Sequence, residues 1–224
     1  MFKIKNLLLV FLLIPFFNAF PKSEFSKNQK QAKKGNAAAQ FNLGICYEQG
    51  RGVEKDTKKA FEWYKKSAEQ GFADAQYNLG VSYQNGDGVE KNLNKAFEWY
   101  LKAAKLGFSK AQYNLGLCYY DGKGVNKDLA TAFEWFEKSA KQGFADAQYN
   151  LGVFYGNGYG VEKDLTKAFE WYKKSAEQGV ARAQLDLGIC YGNGYGVEKD
   201  PKKAVEWYSK AAGEAEDSSQ DNQK

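Results

Sequence analysis

No histidine occurs anywhere in the 224 residues. That one absence removes a Ser-His-Asp triad, a Cys-His pair and every His-ligated zinc site from consideration. Charge of one sign is not in excess either: 32 lysines and arginines stand against 27 acidic residues, a net of +5, and the two kinds are interspersed along the chain. A nucleic-acid footprint needs basic side chains segregated on one surface, so none is read here. Long apolar runs are confined to residues 7–17, short of the roughly 20 residues that a membrane-spanning helix needs. Cysteine occurs only as Cys46, Cys118 and Cys190.

What is present is repetition. Ala-Gln-x-[Asn/Asp]-Leu-Gly stands at residues 39–44, 75–80, 111–116, 147–152 and 183–188, each copy 36 residues after the last. A second block, Ala-[Phe/Val]-Glu-Trp-[Tyr/Phe], keeps the same period at residues 60–64, 96–100, 132–136, 168–172 and 204–208, and Gly-x-Gly-Val always lies between the two. Two glycines in three residues break a helix and mark a turn. Each unit therefore reads helix, turn, helix, and a constant period points to one unit copied and stacked. The fold class expected is all-α, an α-solenoid of five 36-residue helix-turn-helix repeats over residues 36–213.

The second helix is amphipathic. Ala60, Trp63, Tyr64, Ser67 and Ala68 share one side, with Phe61 at its edge, while Lys58, Lys59, Glu62, Lys65, Lys66 and Glu69 fall on the other. Glu62 and Lys66 stand in the favourable i,i+4 order, repeated in every unit. Asp56, Asn92, Asp128, Asp164 and Asp200 are placed to cap the second helices, with Pro201 in a first-turn position. Gly71, Gly107, Gly143, Gly179 and Gly213 are expected to end them. In the first helix, Ala75, Leu79, Ser82 and Tyr83 make the core arc, and Gly80 with its equivalents implies that another backbone comes close. Trp63, Trp99, Trp135, Trp171 and Trp207 read as core wedges, each burying about 150–250 Å².

These motifs resemble the Sel1-like repeat, a branch of the tetratricopeptide superfamily, across all five units. The resemblance implies a scaffold for interactions and no particular chemistry. Exported, cysteine-rich members of that family staple each helix pair with a disulfide and are described as β-lactam-binding and weakly β-lactamase-like, which makes β-lactam binding or hydrolysis the alternative. Here Cys46, Cys118 and Cys190 share one position in alternate units, filled by Ser82 and Phe154 in the others. They read as small buried hydrophobes, intermolecular pairing being the other reading. Neither Ser-x-x-Lys nor Lys-Thr-Gly occurs, so the serine route to β-lactam hydrolysis lacks its residues.

At the start, Lys3 and Lys5 precede the apolar run, and Asn18-Ala19 follows it. This is read as a secretory leader over residues 1–19, with an uncleaved interfacial anchor as the other reading, and it places the protein in the periplasm or outside the cell. Residues 20–35 are a degenerate capping helix, since Phe25, Ala32 and Gly35 keep the phase of Phe61, Ala68 and Gly71. Residues 214–224 read as a polar tail without structure.

Partner binding is assigned to the first helices. Phe41, Tyr77, Tyr113, Tyr149 and Leu185 form one row beside a second made of Asn42, Asn78, Asn114, Asn150 and Asp186. Resemblance to tetratricopeptide grooves implies that the Asn row holds a peptide backbone or carboxylate on a concave face, with the aromatic row supplying apolar contact. Packing of the aromatics against the next unit, with the asparagines bonded locally, remains open. No cofactor, metal or nucleic acid is expected. The Gly156-Asn157-Gly158-Tyr159-Gly160 segment, which looks superficially like a phosphate loop, is read as an interhelical turn.

Overall fold

A computed structural model describes residues 22–221, so the leader expected at residues 1–19 lies outside the described residues. The described residues hold eleven helices and no strand. α1 is Lys22–Lys33; the first helices of the five units are α2 (Ala37–Gln49), α4 (Ala73–Asn85), α6 (Ser109–Asp121), α8 (Ala145–Asn157) and α10 (Ala181–Asn193). The second helices are α3 (Thr57–Glu69), α5 (Leu93–Lys105), α7 (Leu129–Lys141), α9 (Leu165–Ala176) and α11 (Pro201–Asp221). Each helix packs chiefly on the one before and the one after it, the arrangement of an all-α solenoid.

Local chemistry sets the boundaries. Asp56, Asn92, Asp128, Asp164 and Asp200 each accept a backbone N–H of the first turn of α3, α5, α7, α9 and α11 at 2.9–3.1 Å. α3, α5, α7 and α9 are followed by Gly71, Gly107, Gly143 and Gly179 with φ between 87° and 90°, left-handed backbone that only glycine takes cheaply. Gly213 behaves otherwise: α11 runs on through it to Asp221, so neither the expected stop nor an unstructured tail starting at residue 214 is observed.

The interior is a column of Leu43, Leu79, Leu115, Leu151 and Leu187, all at 0 % exposure, flanked by the small faces of Ala75, Ala111, Ala147 and Ala183. Burial of each such leucine contributes about 1.5–3 kcal/mol. Cys46, Cys118 and Cys190 are free and buried against this column, as small hydrophobes.

Two close approaches differ from expectation. At Gly80 the neighbour is a ring: a Cβ there would sit 2.6 Å from Tyr100 Cε1, and Gly44, Gly116, Gly152 and Gly188 make the same room for Tyr64, Phe136, Tyr172 and Tyr208. A backbone also comes near Gly80, the Ala96 carbonyl oxygen at 3.3 Å, but the tighter backbone approaches lie in the loops. Gly88, Gly124, Gly160 and Gly196, at φ of 63–72°, press against the carbonyls of Thr57, Leu93, Leu129 and Leu165, which open the second helix of the preceding unit. A side chain there would meet both a backbone clash and left-handed strain. These glycines fix how closely consecutive units stack.

The tryptophans are wedges, but half-buried ones. Trp135 packs against the cluster formed by α5 and α6, and its open face is covered by the Lys138 ammonium, 4.1 Å from the ring. Lys66, Lys102, Lys174 and Lys210 cover Trp63, Trp99, Trp171 and Trp207 at 3.8–4.3 Å. Among the described residues no ion pair joins these lysines to the glutamates four positions earlier, because the ring face three positions away takes the ammonium.

Candidate functional site

The two rows on the first helices lie side by side, and the structure interlocks them. Tyr77 stacks on Tyr100 of its own unit at 5.9 Å and on Phe108 of the next at 5.4 Å. Tyr113 does the same with Phe136 and Phe144, at 5.8 and 5.1 Å. Phe41 reaches Tyr64 and Phe72, and Tyr149 reaches Tyr172. The aromatic row is thus half-buried packing between consecutive units, while Leu185 remains 47 % exposed.

Its hydroxyls meet the polar row. Asn114 lies beside the hydroxyls of Tyr77 and Tyr100, Asn78 beside that of Tyr64, and Asn150 beside that of Tyr113. The Tyr149 hydroxyl lies beside Asp186. Burial raises the pKa of Tyr77, Tyr113 and Tyr149, and it also raises that of the Asp186 carboxyl, which the Tyr149 hydroxyl partly offsets. Asn78, Asn114 and Asn150 are half-buried, whereas Asn42 is exposed. One or two tyrosine neighbours leave spare donors and acceptors on each amide. In units two to five these are half-buried polar groups with free capacity, one per unit.

Three features of this region escape sequence reasoning. Arg182 pairs with Asp146 and lies 4.6 Å from the centre of the Tyr149 ring, so one guanidinium ties units four and five together, with the Tyr113 hydroxyl of unit three beside it. Gln40, Gln76, Gln112, Gln148 and Gln184 are buried, each donating its amide to a carbonyl of the preceding second helix at 3.2–3.4 Å. Their exact repetition was visible, but a glutamine beside an alanine carries no sign of being inside. A cleft also opens between units four and five beside Asp186; only the glycine at position 156, where Glu48, Gln84 and Tyr120 stand in earlier units, hinted at it.

The Gly156–Gly160 segment is the end of α8 followed by a turn at Gly158, φ 76°. Among the described residues no cluster of His, Cys, Asp or Glu has the makings of a metal site, and no helix is long and apolar enough to cross a membrane. The β-lactam alternative finds no support in this geometry, since the three cysteines are free and do not staple helix pairs.

A sequence profile of the Sel1 repeat matches residues 37–72, 73–108, 109–144, 145–180 and 181–214. Among solved structures, the chain is similar to c5321, a protective antigen of uropathogenic Escherichia coli with an SLR fold, at 41 % identity and a TM-score of 0.81, over 84 % of this chain and 40 % of that one. It is also similar to a Sel1 repeat protein of Oxalobacter formigenes, at 38 % identity and a TM-score of 0.78, over 86 % of this chain and 82 % of that one. A single 36-residue stretch is 50 % identical to the DAP3-binding cell death enhancer 1 of Rattus norvegicus, covering 16 % of this chain and 7 % of that protein.

Proposed function

We propose that this chain, which belongs to the Sel1 repeat family, holds a protein or peptide partner along the inner curve of its first helices, with no chemistry of its own. One observation carries the reading: Asn78, Asn114, Asn150 and Asp186 form a half-buried polar row, one residue per unit, each beside a tyrosine hydroxyl and restricted by its partial burial. Groups fixed before binding lose little entropy on binding, which is what a recognition surface requires. The rat protein that shares one 36-residue stretch with this chain is named for binding DAP3.

The experiment compares capture of partners by wild type and by a variant carrying both Asn114→Ala and Asn150→Ala. Loss of capture, with the helical melt changed by no more than a few degrees, supports the row; retained capture removes it. Export is part of the same proposal. N-terminal sequencing of the protein from a periplasmic or secreted fraction is expected to begin at Phe20, and a start at Met1 in the cytoplasm would overturn it.

A further inference from the structure

Equivalent clefts lie between consecutive units, and they are not equally full. Between units one and two the space is about 160 Å³, because Glu48 projects into it and accepts a hydrogen bond from the Tyr64 hydroxyl at 2.8 Å. In unit two, Gln84 does the same for Tyr100 at 3.1 Å. Unit three has Phe136, which carries no hydroxyl, and there Tyr120 and Phe154 fill the space with rings. Unit four has the hydroxyl of Tyr172 but Gly156 in place of the side chain that would accept from it, and the cleft between units four and five widens to about 380 Å³. Asp186, Leu165, Ile189 and Tyr195 line it, with the exposed Lys163.

We propose that this cleft receives the side-chain carboxamide of a glutamine from a bound peptide, in the place that Gln84 fills two units earlier. The proposal rests on the peptide-binding reading above and specifies its partner's chemistry. A carboxamide oxygen accepts from the Tyr172 hydroxyl as Gln84 Oε1 accepts from Tyr100. Its NH₂ donates to Asp186, which stands where units two to four have asparagine and whose charge is felt at Tyr172. The Asp186 carboxylate has acceptor sites to spare beside the Tyr149 hydroxyl. Other side chains fit worse. Glutamate would bring a second carboxylate beside Asp186, lysine would leave the phenol without an acceptor and face Lys163, and methionine would satisfy neither polar group.

The test is a titration of the ¹⁵N-labelled protein with N-acetyl-glutamine methylamide and with the glutamate, lysine and methionine analogues. Saturable shifts are expected at Asn157, Asp186 and Tyr195 with the glutamine probe, with each analogue weaker by about fivefold or more. Gly156→Gln refills the cleft from within and is expected to abolish those shifts while the rest of the spectrum reports an intact fold; a Cβ at 156 meets nothing nearer than 3.6 Å. Tyr172→Phe, a residue already native at position 136, is expected to weaken the glutamine probe about fivefold and leave the methionine probe unmoved. Equal binding of methionine, preference for lysine, or no saturable response to glutamine would each overturn the assignment. A captured partner separates this from the broader reading: if capture is lost with Asn114→Ala and Asn150→Ala but survives Gly156→Gln, the cleft assignment falls and the ladder stands.

Discussion

The side-chain amide of Gln70 donates to Oε1 of Gln40 at 2.7 Å, and through it the end of α3 is tied to the buried face of α2. Gln142 and Gln178 do the same for Gln112 and Gln148. In unit two the donor position is Leu106, 59 % exposed, and Oε1 of Gln76 is buried without a partner. Leu106→Gln should supply the missing donor and stabilise the protein by about 1 kcal/mol, a rise of about 2–4 °C in the thermal midpoint. Calorimetry checks this, and an unchanged or lower midpoint counts against it.

Gly152 and Gly156 are one helical turn apart in α8 and should respond oppositely to alanine. A Cβ at 152 would lie 2.5 Å from the Tyr172 ring, whereas one at 156 has its nearest neighbour at 3.6 Å. Gly152→Ala is expected to cost about 1–3 kcal/mol through overpacking. Gly156→Ala, freed of any clash, should gain up to about 1 kcal/mol from helix propensity. Urea titrations of the two variants decide it; equal effects would mean that the ring is not what excludes the side chain.

Trp135 is half-buried, with Lys138 over its open face at 4.1 Å. Trp135→Ala should therefore cost about 2–4 kcal/mol, a range shifted below that of a fully enclosed tryptophan. Lys138→Ala removes only the cation from the ring and should cost about 0.5–1 kcal/mol. Chemical denaturation of both, and of the double variant, measures the coupling between them.

Burial pushes the Cys118 and Cys190 thiols from an ordinary 9.0 up to about 11, and it raises Tyr64, Tyr100 and Tyr172 as well. Groups whose pKa is raised on folding contribute stability that is complete below their unfolded value and lost as pH rises toward the folded one. Resistance to urea should accordingly decline from about pH 9 to about pH 11 and beyond, with the thiols slow to alkylate until the chain unfolds. The capping carboxylates of Asp56, Asp128, Asp164 and Asp200 are held below their ordinary 3.8 by hydrogen bonds from the first turn. Their contribution is present above that value and lost as pH falls through the lowered one. A stability profile flat from neutral to strongly alkaline pH would contradict the burial argument.

The helices, their caps, the period and the count of units were legible because each is written locally. Asp56 caps whatever follows it, Gly71 can only end α3, and a leucine every 36 residues must face its copies. Packing partners were not legible. Gly80 announced crowding, yet only the folded chain shows that the Tyr100 ring is its main cause and that the tightest backbone approach falls at Gly88. Lys66 offered equal local choices, Glu62 and Trp63, and the tertiary wedge of the tryptophan presented its face. The aromatic and asparagine rows could be written down from their spacing, but their contacts run from one unit to the next, from Tyr77 to Phe108 and Asn114, so neither helix alone contains them. The sequence by itself determined that helical hairpins form and that they share one core, since period and capping act within a few residues. Tertiary structure alone decided which cleft stays open, because the space beside Gly156 belongs to two units at once and exists only after they stack.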